Sequence, residues 1–141
     1  MKNQSELIDK ILTESKNIAV VGISKNTEKD SYKVALYLEN AGYNVIPVNP
    51  AVSEVLNKKC YPSLIDIPDD ITIDIVDIFR RPEFVAPIVE DAITRGTKTI
   101  WMQDTIEDPK SAEKASNEGI QVIMNNCTMR EHKLRNNSSA S

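Results

Sequence analysis

A chain of 141 residues, 40% apolar and 27% charged, has the composition of an ordinary globular protein, long enough for one domain with one core and short for two. Its formal net charge of -4 argues against nucleic-acid binding, which needs a dominant basic face. No apolar run approaches the roughly 18 residues of a membrane span. The start, Met1-Lys2-Asn3-Gln4-Ser5-Glu6-Leu7, lacks a signal-peptide core, so a cytoplasmic location is expected. Two cysteines, Cys60 and Cys127, are too few and too widely spaced for a metal site or a disulfide framework. The only histidine, His132, lies close to the C-terminus and leaves little scope for histidine catalysis.

In chain order, Ser5 to Ser15 reads as a short amphipathic helix with Leu7, Ile8, Ile11 and Leu12 on one face and Ser5 as its N-cap. Ile18 to Ile23 is almost wholly apolar, as expected of a parallel strand covered on both faces. A helix over Ser31 to Ala41, capped by Asp30 or Ser31 and stopped by Gly42, leads to a strand at Tyr43–Val48. Pro50, Pro62 and Pro68 mark an extended connection. A third strand at Ile73–Ile78 runs into Arg81-Pro82-Glu83, a helix start signal, and that helix should reach Arg95 with Gly96 as its stop. Pro87 must lie near its first turns or kink it. Lys98–Met102 is a strand, Asp108-Pro109 opens a helix closed by Gly119, and Ile120–Met124 is the last strand. Asn125-Asn126-Cys127 turns into a final helix ending near Arg135. Residues 1–135 would then form the domain and 136–141 a polar, disordered tail.

Strand-helix alternation of this kind defines an α/β fold, a doubly wound, Rossmann-like sheet of five parallel strands with helices on both faces. The strand order expected is 3-2-1-4-5, with the reversal between the first and fourth strands. Ligands of such sheets bind outside the carboxyl ends of the strands at that reversal, so the strand exits are where chemistry is to be sought.

After the first strand, Gly22 is the only glycine where a dinucleotide fingerprint would have three. Helix-start N–H groups with the hydroxyls of Ser24 and Ser31 can hold a phosphate there, although a plain strand-to-helix loop explains the same residues. The second exit, Pro47-Val48-Asn49-Pro50, is a stiff turn without the acid that binds ribose in NAD sites. It can wall an adenine, or be no more than a rigid strand exit. At the third exit, Arg80 and Arg81 precede a helix start, a poor place for cations unless an anion lies between. Lys25, Lys29 and Lys33 add positive potential or simply solubility. The fourth exit, Trp101-Met102-Gln103, offers an apolar wall and one amide, with core packing the competing role of Trp101 and Met102. Cys127 stands at a helix start, where the dipole lowers a thiol pKa, and is the candidate reactive thiol.

Six segments then fall in register: Val20-Val21-Gly22-Ile23-Ser24, Ser31-Tyr32-Lys33-Val34-Ala35-Leu36-Tyr37-Leu38, Gly42 to Pro50, Tyr61-Pro62-Ser63-Leu64, Asp77 to Glu83, and Trp101-Met102-Gln103. Together they resemble the small stand-alone CoA-binding proteins, which are similar to the N-terminal domain of the succinyl-CoA synthetase α subunit. The resemblance covers roughly residues 5–135. It implies a fold that binds coenzyme A or an acyl-CoA, with phosphates near the first loop and adenine near the second-strand exit. By position, the implied contacts are Gly22, Ser24, Lys25, Ser31 and Tyr32, then Asn49 and Pro50, then Phe79, Arg80 and Arg81, then Met102 and Gln103. If Cys127 lies near the bound thiol, a mixed disulfide is expected under oxidation.

The chain departs from the family pattern in two places. Asp104-Thr105-Ile106 stands where a glycine often follows, which puts a carboxylate near the path of a polyanion, and Val85-Ala86-Pro87 stands for paired prolines. The synthetase also works through a phosphorylated histidine on a further domain, so the resemblance is to the binding half of a ligase, and a non-catalytic role is expected. Two other readings stay open: an NAD(P)-binding enzyme or trans-acting ligase subunit, with Arg80 and Arg81 able to take a 2′-phosphate, and a regulatory protein gated by its ligand. Nothing in the sequence identifies a protein partner.

Overall fold

The computed structural model describes the backbone of residues 3–139 and side chains as far as Asn136. Five helices surround a parallel sheet: α1 (Gln4–Glu14), α2 (Asp30–Asn40), α3 (Val85–Arg95), α4 (Pro109–Asn117) and α5 (Thr128–Ser139). The strands in chain order are β1 (Asn17–Val21), β2 (Asn44–Val48), β3 (Glu54–Val55), β4 (Lys58–Lys59), β5 (Ile75–Ile78), β6 (Thr99–Met102) and β7 (Gln121–Ile123). β3 and β4 form a small antiparallel hairpin, and the other five make the α/β sheet expected from the sequence.

The order of that sheet is β2-β1-β5-β6-β7. Counted along the five parallel strands this is 2-1-3-4-5, not the expected 3-2-1-4-5, and the reversal falls between the first and third strands. Pro47 supplies the physical reason. Its carbonyl faces outward from β2 and accepts from Tyr61 N, and Asn49 N returns a bond to Tyr61 O. The amide that Pro47 lacks is therefore missing on the outer side, where a further strand would need it. The Tyr61 segment covers that edge with a single parallel bridge to Val48, and the third strand pairs with the free side of β1 instead.

Alternation along the strands fills two cores. Ile18, Val20, Val45, Ile75, Trp101 and Ile123 pack under α1, α2 and α5. Ala19, Val21, Ile46, Val76, Ile100 and Met102 pack under α3 and α4. Both faces are apolar, as a covered parallel sheet requires.

Helix boundaries follow their caps. α1 begins one residue before the expected Ser5, because the Asn3 side chain accepts from Glu6 N at 2.8 Å. The N-cap of α2 is Lys29 with no side-chain cap, so neither Asp30 nor Ser31 serves. Pro82–Phe84 forms a 3₁₀ turn before α3, which places Pro87 in the first turn of α3, where no intrahelical bond is lost. Gly96 ends α3 in the left-handed conformation. Asp108 caps α4 with Pro109 behind it. α5 continues to Ser139, past the expected end near Arg135, and residues 140–141 lie outside the described residues.

Candidate functional site

Two cavities open at the carboxyl edge of the sheet. The larger, ≈ 720 Å³, lies between α2 and α5 above the ends of β5 and β6, within the size range of small-molecule and cofactor sites. Asp30, Lys33 and Val34 come from α2, and Phe79–Pro82 from the exit of β5. Gln103–Ile106 follow β6, and Cys127 with Met129, Arg130, Lys133 and Leu134 comes from the approach to α5 and its first turns. The smaller, ≈ 250 Å³, sits on the other side of the sheet edge among Gly22, Pro50, Pro62, Phe84, Pro87 and Ile88. Arg80 lines both.

The expected residues divide accordingly. Phe79, Arg80, Arg81, Gln103 and Cys127 line the larger cavity, while Gly22 and Pro50 join Arg80 at the smaller. Ser24, Lys25, Ser31, Tyr32, Asn49 and Met102 line neither of these. Ser31 Oγ accepts from Ser24 N at 3.0 Å, and Ser24 Oγ accepts from Asn26 N, so these hydroxyls hold the loop together. Asn49 donates to Ile23 O at 2.8 Å and accepts from Ala51 N, bracketing the first loop against the end of β2. Tyr32 packs on the core, and Lys25 is exposed. Met102 is wholly buried on the α3–α4 face. Successive strand residues point to opposite sides, which sends Trp101 into the other core with its indole N–H donating to Asn126 O.

The larger cavity carries Lys33, Arg80, Arg81, Arg130 and Lys133 against Asp30 and Asp104. Asp104 is not a loose negative charge in the path of an anion. Arg130 grips it bidentately, both N···O distances being 2.8 Å. That pairing holds the Asp104 carboxyl below its usual range and the Arg130 guanidinium above its own. Arg81 is highly exposed, 3.9 Å from Glu83. Arg80 instead lies over the Phe84 ring, 4.6 Å from its centroid, and has no carboxylate partner among the described residues. A cation held by an aromatic face at a helix approach is poised for an anion.

Burial pushes the Cys127 thiol up, against the downward pull of the Met129 and Arg130 backbone N–H groups. The helix start therefore does not produce the lowered pKa expected of it. At 8% exposure, loss of solvent around the thiolate outweighs the dipole.

Beneath the cavity lies a group the sequence reading passed over. Asp77 on β5 and Thr128 at the start of α5 are both wholly buried. Gln103 Nε2 donates to Asp77 Oδ1 and to Thr128 Oγ1, and Thr128 Oγ1 donates to Asp77 Oδ2 at 3.0 Å. Burial pushes the Asp77 carboxyl up to about 7, with the two donated bonds pulling against it. An acid in the middle of the apolar run of a central strand, Asp77 between Val76 and Ile78, was the available signal, since strands disfavour Asp. Arg130 was legible too, being a cation in the first turn of a helix like Arg80 and Arg81 before α3.

Among the described residues no cluster of His, Cys, Asp and Glu can hold a metal ion, and no helix is long and apolar enough to cross a membrane. An open α/β sheet of Rossmann type, with a partly cationic cavity at its carboxyl edge, is the architecture of a cofactor-binding domain. Residues 16–133 match the CoA binding domain family, and the chain belongs to it. It is 36% identical over 133 residues to the uncharacterized protein YneT of Bacillus subtilis, covering 94% of this chain and 97% of that one. A solved structure of a hypothetical protein from Pyrococcus horikoshii is 42% identical and superposes with a TM-score of 0.89 over 94% of this chain and 92% of that one. The chain is also 30% identical over 124 residues to an ADP-forming acetate–CoA ligase of Archaeoglobus fulgidus, covering 80% of this chain and 18% of the ligase.

Proposed function

We propose that this chain, through its domain of residues 1–135, binds coenzyme A or an acyl-CoA at the carboxyl edge of the sheet as a non-catalytic module. The observation that carries the reading is Arg80, which lines both cavities, lies over the Phe84 ring and forms no ion pair among the described residues. A diphosphate bridging the cavities would meet that guanidinium, with Arg81, Lys33 and Lys133 adding to the field. The smaller, apolar cavity beside Gly22 and Pro50 suits the adenine, and Val34, Ile106 and Met129 suit an aliphatic arm. These residues fit the ligand that the family description names. Ser24, Ser31 and Asn49 act on this reading by shaping the first loop.

The test is a thermal-shift comparison of coenzyme A, acetyl-CoA, dephospho-CoA, NAD and NADP at equal concentration. A ligand present at 100 times its dissociation constant stabilises the folded state by ~2.7 kcal/mol. Coenzyme A should stabilise the chain, and Arg80→Ala should weaken its binding by roughly 1.5–3 kcal/mol, the value of a charge-assisted contact. Stabilisation by NADP alone would move the chain to the dinucleotide enzymes and overturn the reading.

A further inference from the structure

The geometry points to Asp77 as a positioning residue that makes this site select ligands carrying an N–H donor, by fixing which end of the Gln103 amide faces the cavity. The inference rests on the cofactor reading above and adds to it a specificity device one layer below the site. Gln103 lines the larger cavity, yet only 4% of it is exposed. Its amide nitrogen is spent downward on Asp77 Oδ1 and Thr128 Oγ1. Above pH 7 the Asp77 carboxyl is ionised, accepting and not donating, so turning the amide over would then set Gln103 Oε1 against Asp77 Oδ1, oxygen against oxygen. Thr128 closes the arrangement, accepting from Gln103 and donating to Asp77 Oδ2.

The amide oxygen is then the end left over. Gln103 Oε1 accepts no side-chain or backbone bond from the described residues, and it is not among their sealed, unbonded polar atoms. It therefore meets solvent, and the solvent there is that of the cavity Gln103 lines. The floor presents a fixed acceptor between apolar Phe79 and Ile106 and below the cationic rim. A ligand that buries this oxygen without offering a donor leaves it unsatisfied and loses affinity. The arm of coenzyme A carries amide N–H groups that meet the requirement, whereas the adenosine 3′,5′-bisphosphate end is held elsewhere.

The experiment is a double-mutant cycle on the full chain at pH 8, where Asp77 is ionised, reading the affinities of coenzyme A and of adenosine 3′,5′-bisphosphate. Asp77→Leu keeps the shape and removes the acceptors, and Gln103→Met keeps the shape and removes the amide. Each should weaken coenzyme A roughly tenfold, the scale of one buried hydrogen bond, and leave the bisphosphate unchanged. The double variant should be no weaker than either single, because both remove the same interaction. The Gln103 side-chain N–H signals should exchange slowly with solvent in the parent and quickly in Asp77→Leu. Thr128→Val, a milder change, serves if Asp77→Leu does not fold, and should shift coenzyme A affinity and Gln103 exchange in the same direction.

Additive losses, an unchanged affinity in Asp77→Leu, or equal weakening of both ligands would each overturn the proposal while leaving the cofactor reading in place. A parent chain that binds no coenzyme A would overturn both.

Discussion

At Gly22 the backbone sits at φ +90°, and an added Cβ would lie 2.4 Å from the Phe79 carbonyl oxygen. Neither feature can relax alone, because Gly22 N is bonded to Val48 O and Phe79 N to Val21 O. Gly22→Ala should therefore destabilise the fold by about 2 kcal/mol or more, from the left-handed backbone and the contact together. Urea unfolding measures it, and an unchanged midpoint would mean that the exit of β5 yields without cost. Since Arg80 Cδ would lie 3.0 Å from the same Cβ, coenzyme A affinity should fall as well. Cys127 makes the opposite kind of prediction. Its thiol is pushed up by burial, so exchange with CoA disulfide, releasing one CoA thiol for each mixed disulfide formed, should be slow at pH 7 and quicken as pH rises. Intact-mass analysis should show the adduct lost in Cys127→Ser and kept in Cys60→Ser. Rapid modification at pH 7 would contradict the burial argument.

Among the elements, every main strand and helix was legible, from continuous apolar runs, helical spacing of apolar residues, or start and stop signals such as Asp108-Pro109 and Gly119. Their order in the sheet was not, because right-handed crossovers permit several orders and the deciding detail is one missing amide at Pro47. The site was legible in the same uneven way. Strand exits announce themselves, and Phe79, Arg80, Arg81 and Gln103 line one cavity. Arg130 and Lys133 reach it only because the chain after β7 lays α5 beside α2, which no local pattern reveals. The long connection after β2 has its own anchor. Arg95, in the last turn of α3, donates to the carbonyls of Leu64, Ile67, Pro68 and Ile71. Arg95→Ala strips four acceptors of their shared cation and should cost about 3 kcal/mol, on the scale of charged hydrogen bonds and unsatisfied carbonyls. Hydrogen exchange localised to residues 64–71 would identify the connection as the segment released, and a loss spread evenly over the sheet would count against it.

For the molecule as a whole, Asp77 ties stability to pH. Its carboxyl is pushed up to about 7 in the fold and returns to the ordinary carboxylate range, about 3.9, when the chain unfolds. Between those values the folded state holds the extra proton. The contribution is therefore fully present at low pH, falls as pH rises through the window from about 4 to 7, and is level above it. His132 works the other way: burial lowers its pKa, so its contribution is lost as pH falls through the ordinary imidazole range. Asp104, held low by Arg130, loses its contribution only at more acidic pH. A direct stability profile mixes these groups, and Asp77→Asn separates them, because His132 and Asp104 are common to both chains. From pH 5 to pH 8 the parent should lose about 3 kcal/mol relative to Asp77→Asn, the scale of two pKa units of linkage. Urea denaturation of both proteins at the two pH values measures the difference. Parallel curves would mean that the carboxylate beneath the cavity is already charged at pH 5, with a folded-state pKa no higher than that of an ordinary exposed acid.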